Sequence, residues 1–449
     1  MSTIAAAAAD PATTVSRRGI AVAVAASCLG WSLALFDLLI LLYVAPVVGR
    51  LFFPANSPML SLAAVYAGFA VTMVMRPVGA AVFGRYADRH GRKPAMLVAV
   101  MGVGLVTASF GALPTVPQIG TAASVLFILL RLVQGMFVGG VVASTHTVGI
   151  ESVPARWRGL VSGSTGVSAG IATLLASLAY FLAAALFPDD RFAVWGWRSM
   201  FFCGLLTSFL AYPIFRYLEE SPAWTRVAEQ RVGMATVRPL SSIVGRTWRG
   251  VLLTNLLITF GGGAGYYVTS GYLPSFLKLV VKLPDMSASR LLMAASVVSA
   301  TASLLSGAVS EWVGRKSVFL VAAPIVMVAL PAVYLVLAVP RGTTTTVACV
   351  LAVAFLGNAA SGPTMAFLNE RFPAELRATG TALSWNIGFG LGGIAPALVS
   401  LASSAAGDVT YTLAFFSAGI FAVFTIGALS VPETRGQLDS PTRPDRESS

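Results

Sequence analysis

The chain has 449 residues, of which 56% are apolar and only 11% charged, with 30 basic against 18 acidic side chains. Its mean hydropathy is +0.81. Soluble domains carry about a quarter charged residues, so this composition excludes an ordinary soluble enzyme and points to a membrane protein.

A helix that crosses the hydrocarbon needs about 20 apolar residues. Runs of that kind are predicted over residues 20–46, 60–81, 95–116, 121–149, 160–187, 197–218, 249–274, 290–310, 317–339, 345–368, 379–403 and 410–431. The expected fold is therefore all-α, with twelve transmembrane helices. A tail over 1–19 precedes a first six-helix bundle (20–218), a polar linker (219–248), a second bundle (249–432) and a second tail (433–449). The first apolar run is too long for the core of a cleaved signal and is read as a span.

The formal net charge of +12 would suggest nucleic acid on a soluble protein. If the N-terminus is cytoplasmic, 21 of the 30 basic residues fall on the inner side, seven on the outer side, and Arg76 and Arg131 within spans. That asymmetry is the positive-inside pattern, so both termini are expected in the cytoplasm and no nucleic-acid partner is expected.

The first span carries Asp37, the one carboxylate well inside any predicted span. Such a group faces a partner or a watery cavity, because an ionised carboxylate in lipid is costly. The readings that stay open are a structural acid bonded to a neighbouring helix, or a proton carrier or solute contact. The second span ends in Met75-Arg76-Pro77-Val78-Gly79, where Arg76 would either bind an anionic solute or brace helix ends. The fourth carries Leu130-Arg-Leu-Val-Gln-Gly135. Arg131 cannot lose its proton there and needs an acid, carbonyls or a bound anion; Asp37 is its natural candidate partner.

Between the second and third spans lies Gly84-Arg-Tyr-Ala-Asp-Arg-His-Gly-Arg-Lys93, read as a charged turn. It is echoed 223 residues later by Gly307-Ala-Val-Ser-Glu-Trp-Val-Gly-Arg-Lys316. A second pair, Glu151-Ser-Val-Pro-Ala-Arg-Trp-Arg158 and Glu370-Arg-Phe-Pro-Ala-Glu-Leu-Arg377, is offset by 219 residues. Two echoes in step imply a duplicated unit of six helices. A weaker echo, Glu219-Glu-Ser-Pro222 and Pro432-Glu-Thr-Arg435, closes each half. Gly261-Gly-Gly-Ala-Gly265 lacks the strand and the Lys-Ser/Thr of a phosphate loop, and is read as a bend or a close helix contact. Tyr266, Tyr267, Asn358 and Asn386 are candidate cavity residues, with packing as the alternative. Cys28, Cys203 and Cys349 have no metal-ligand spacing, so neither a metal nor a cofactor is expected.

These motifs together resemble the major facilitator superfamily over residues 20–432. Leu51-Phe-Phe-Pro54, Arg76-Pro-Val-Gly79, Trp195-Gly-Trp-Arg198 and Trp385-Asn-Ile-Gly388 resemble its metabolite:proton symporters, which carry carboxylates or zwitterions such as proline and betaine. That family commonly has a second acid in the first span and a Glu where Val141 stands here. The resemblance implies a monomeric secondary transporter in a bacterial inner membrane, importing a small organic acid with protons by alternating access. Asp37 would carry the proton, and Arg131 and Arg76 would meet the solute. Asp88, Arg89, Arg92, Glu311, Arg315, Glu151, Arg158, Glu370 and Arg377 would be gating residues at the inner ends of the halves. A facilitator, an exporter or a betaine/proline symporter are the alternatives; the fifth span lacks the Gly-Pro pair of drug exporters. No nucleophile–base pair or soluble domain supports an enzyme.

Overall fold

The computed structural model describes residues 17–90, 92–151, 157–216, 245–339 and 342–438, together with Val153 and Ile243. The first half contains α1 (Arg17–Phe52), α2 (Pro58–His90), α3 (Arg92–Ala112), α4 (Ala122–Glu151), α5 (Arg158–Leu186) and α6 (Trp197–Arg216). In the second half, α7 runs from Arg246 to Tyr266 and continues through a π-helical turn, Tyr267–Gly271, into Leu273–Leu279. It is followed by α8 (Asp285–Val313) and α9 (Arg315–Leu337). α10 (Thr343–Ala359, then Thr364–Glu370), α11 (Ala374–Gly392, then Ala395–Ala402) and α12 (Val409–Ser430) complete the half.

Among the described residues, eleven helices are long and apolar enough to cross a membrane. α6 stands where the sixth predicted span is expected and packs against α3 and α1. The expected all-α membrane fold is what forms. The linker over 219–248 lies almost wholly outside the described residues.

Several predicted boundaries move, for physical reasons. α1 runs on past Pro46 to Phe52, and α2 runs through the charged stretch to His90. Residues 84–90, expected as a turn, are thus helical, because Arg, Tyr and Ala support a helix once it has left the lipid. The matching stretch in the second half stops at Gly314, whose φ of 99° ends α8 in a conformation that L side chains rarely adopt. The glycines of 261–265 do not bend α7. They lie against Phe424, Phe389 and Phe421 as close helix contacts, and the irregular turn comes just after them.

Without a hydrophobic force between helices in lipid, close approach of small residues does much of the packing. Within the first half, α2 and α4 meet through Gly79, Gly135 and Gly139. A Cβ on these would lie 1.9, 2.0 and 2.1 Å from the carbonyl oxygens of Met136, Thr72 and Arg76. Between the halves, α5 lies along α8 with Gly159, Gly163, Gly166 and Gly170 against Gly307, Ser303 and Ala300. A second seam joins α2 to α11, where Gly390 and Gly393 abut Met73.

A methyl at Gly135 meets a backbone carbonyl rather than a flexible side chain, and overpacking of that kind costs about 1–3 kcal/mol or more. Gly135→Ala is expected to lower the thermal unfolding midpoint in detergent by several degrees. Gly419→Ala, with no atom within 4 Å of the new Cβ, is expected to leave it within a degree or so.

Candidate solute and proton sites

Besides a polar contact of the halves at the end away from the termini, three clusters of polar side chains stand out in the apolar bundle, each in a different position. The first is at the end of the molecule that carries both described chain termini. Arg315, at the start of α9, has an almost fully buried guanidinium that pairs with Glu311 at 2.8 Å and with Glu370 at 3.3 Å. It also donates to the Ser310 hydroxyl at 2.8 Å. Glu370 accepts from Thr434 at 2.9 Å. Glu433 accepts the backbone N–H groups of Arg315 and Lys316 at 2.8 and 3.0 Å, satisfying two orphan donors of α9. Across the seam, the backbone N–H of Gly159 donates to the Glu311 carboxylate. Arg377 donates to the carbonyls of Asn369 and Leu438, and Arg158 is buried at the start of α5.

Of the expected gating residues, the structure thus brings Glu311, Arg315 and Glu370 into one network, with Arg377 tying down the chain that follows α12. Asp88, Arg89, Arg92 and Glu151 lie outside the residues whose side chains are described.

At the opposite end, Tyr180 of α5 donates to Asp285 at the start of α8 at 2.5 Å, and Lys278 pairs with the same carboxylate at 2.8 Å. Tyr66 of α2 shares a 2.9 Å hydrogen bond with Ser275 and stacks on Tyr272. The two halves are therefore in contact at both ends. Sequence reasoning missed Tyr180, Lys278 and Asp285, because they come from three separate helix ends with no common spacing.

The second cluster is inside the first half. Asp37 is fully buried; its Oδ2 accepts from Thr207 at 2.7 Å and its Oδ1 has no partner. Arg131 is also fully buried. It lies over the rings of Phe110 and Phe127, 4.4 and 5.2 Å from their centroids, and donates to Gln134 at 2.7 Å, with Nε and Nη2 unpartnered. Gln134 in turn donates to Thr107 at 2.8 Å and to the Asp37 carbonyl at 3.4 Å. The expected direct Asp37–Arg131 pair does not form: Gln134 takes the arginine and Thr207 takes the acid. Gln134, Phe110 and Phe127, which surround Arg131, all belong to the first half.

The third cluster spans the interface. Arg76 is 1% exposed, its Nε and Nη2 lack partners, and it lies beside Tyr267 of α7. Tyr267 donates weakly to the Met73 sulfur at 3.8 Å and packs edge-on against Phe69. Tyr266 adjoins Tyr267 and has a buried hydroxyl without a partner. Asn386 is buried, with its Nδ2 spent on Ala382 and its Oδ1 free. Asn358 instead bonds Ser270 and Ala354 within the second half, which favours packing for that residue.

Among the described residues, eleven helices long and apolar enough to cross a membrane, in two bundles that touch at both ends and bury charged side chains, define a multi-pass membrane protein. The family described as the Major Facilitator Superfamily matches residues 20–396, and the chain belongs to it. The chain is 29% identical to a putative proline/betaine transporter of Staphylococcus haemolyticus over 61% of its length, and 28% identical to a proline/betaine transporter of Salmonella typhimurium over 57%. It spans only 58% and 52% of the length of those two relatives. It is also 28% identical to the inner membrane metabolite transport protein YhjE of Escherichia coli, over 82% of this chain and 84% of that one. The fold is similar to that of a D-xylose-proton symporter, with a TM-score of 0.71 at 20% identity, covering 93% of this chain and 99% of that one.

Removing Arg315 strands two carboxylates in a buried site, which typically costs about 3–5 kcal/mol. Arg315→Leu is expected to lose most folded protein in detergent. Arg315→Leu combined with Glu311→Leu and Glu370→Leu is expected to recover part of the thermal stability, measured by unfolding of the purified variants.

Proposed function

We propose that the protein is a proton-coupled symporter that carries a small carboxylate-bearing solute inward across a bacterial inner membrane, with both termini in the cytoplasm. The observation that supports this most is Arg76: a guanidinium in the interface between the halves, buried, permanently charged, and with two nitrogens unused. A carboxylate is the ligand that matches such a fork, since it accepts two parallel N–H bonds. Arg131, retained in the first half, is assigned to the proton site rather than to solute.

In this reading Asp37 alternates between its acid and its ionised form. Ionised, it would draw Arg131 away from Gln134; protonated, it would leave Arg131 on Gln134, as it stands here. Gln134 is thereby a holding partner, and Thr207 keeps the carboxyl oriented. Rocking of the halves would break the Glu311–Gly159 and Tyr180–Asp285 contacts in turn. The relatives named as proline/betaine transporters favour a zwitterion over a di- or tricarboxylic acid as the solute.

Asp37→Asn is expected to abolish accumulation driven by a pH gradient in proteoliposomes while leaving counterflow exchange intact. Accumulation at the native level would remove Asp37 as the carrier. Arg76→Ala is expected to raise the half-saturating solute concentration about tenfold or more, the range for a lost charge-assisted bond. An unchanged value would place the carboxylate elsewhere.

A further inference from the structure

We infer that the cleft where α5 meets α6, at the end away from the termini, is a binding site for a phospholipid whose head carries both a phosphate and a primary ammonium. The site is independent of the solute and proton assignments, and of transport itself.

The cleft has a volume of about 520 Å³ and is lined by Leu186, Phe187, Asp190, Arg191, Val194 and Trp195. That falls within the range of about 300–1,000 Å³ typical of small-ligand sites. Its depth is that of lipid heads. The candidate span Arg158–Leu186 has 29 residues, and at about 1.5 Å per residue it is about 43 Å long, the thickness of a bilayer with its headgroup layers. Leu186 therefore reaches the boundary, and the exposed Trp195 is the kind of side chain favoured there. The connection is held in shape from behind. After Asp189, whose φ of 56° turns the chain, a π-helical turn over Phe192–Gly196 leads into α6. Phe192 faces inward, edge-on to Tyr180 at 5.5 Å, with the Lys278 ammonium 5.4 Å from its ring centroid. Glycine at 196 leaves room for that ring, since a Cβ there would fall 2.4 Å from it. Val194 and Trp195 are left facing outward, beside Asp190 and Arg191.

The two charges of the cleft select the head. Asp190 and Arg191 are exposed neighbours, and no ion pair among the described residues involves either. A guanidinium matches a phosphate through paired N–H donors. A carboxylate beside it accepts hydrogen bonds from an ammonium that has protons to give. A phosphate head without a cation would meet Arg191 but bring negative charge up to Asp189 and Asp190. A quaternary ammonium would offer Asp190 charge without a hydrogen bond. A head with phosphate and primary ammonium satisfies both side chains at once. Each such pair is worth little at the water boundary. The bilayer compensates by presenting the head at this depth and at high local concentration. Leu178, Leu182 and Leu186 form an exposed row on α5, one turn apart, that leads from the cleft into the span and gives an acyl chain its path. A soluble phosphate ester would have neither advantage.

The test places the full chain in phosphatidylcholine nanodiscs that contain a small fraction of a photoreactive lipid. The probes share one diazirine-bearing acyl chain and differ in the head: ethanolamine, glycerol or choline. After illumination, adducts on the α5–α6 hairpin are measured against those on α9, whose exposed Val321, Ile325 and Val328 serve as the reference for unselected lipid. The ethanolamine probe is expected to be enriched at the hairpin over the other two by about threefold or more, the range for exposed ion pairs. Asp190→Ala should erase its advantage over the choline probe, Asp190→Glu should retain it, and Arg191→Ala should lower hairpin labelling by all three. Both side chains are exposed, so these variants are expected to fold. Equal ratios at the hairpin and at α9 would overturn the site and leave ordinary lipid contact. Labelling by the glycerol probe above the ethanolamine probe would overturn it too, as would displacement of the label by soluble glycerophosphoethanolamine.

Discussion

Backbone-to-backbone contact along glycine-lined seams is the constraint on which the rest of this structure depends. Where α5 lies along α8, a Cβ at Gly166 would fall 1.9 Å from the Ser303 hydroxyl, and one at Gly307 would fall 2.7 Å from the Gly159 carbonyl. So close an approach leaves little freedom for the helices to deform separately, and the halves are better able to tilt than to remodel. The same seam brings the Gly159 N–H to the Glu311 carboxylate. The α2–α11 seam at Met73 lies about one turn from Arg76 on α2. Small residues set the distances, and the distances place the charges.

Those charges are segregated by position, which separates their roles. Arg315 with Glu311, Glu370 and Glu433 sits at one end, in the position proposed for gating bonds. Tyr180, Lys278 and Asp285 form the contact at the other. Asp37 and Arg131 are fully buried within the first half. Arg76 stands at the interface. If Asp37 carries the proton and Arg76 meets the solute, as proposed, the two sites are separate rather than superimposed, and coupling would pass through helix position and not through direct contact.

Much of the architecture was legible because the physics behind it is one-dimensional. Apolar run length marks spans, and two echoes in step mark the repeat. Helix ends were less legible: α2 continues to His90 because a helix does not stop where the lipid does. Asp37, Arg76 and Arg131 were legible as buried charges because any ionisable residue in a span is conspicuous. Their partners were not. Gln134 lies three residues from Arg131, on the same helix face, and was within reach of spacing rules. Thr207 is 170 residues from Asp37, and only packing brings them together. The Gly159 amide carries no side-chain signal at all, so its bond to Glu311 is invisible until the helices are assembled.

Rigid-body exchange between the halves is tested most directly by spin-label distances in the purified chain, with the three cysteines replaced. One label pair, Leu186→Cys with Val339→Cys, spans the halves at the end away from the termini; the other, Val82→Cys with Val313→Cys, spans them at the end that bears the termini. Adding glycine betaine at low and high pH should lengthen one distance while shortening the other, with distances inside each half unchanged. Two inter-half distances that stay fixed, or that change together in the same direction, would contradict it.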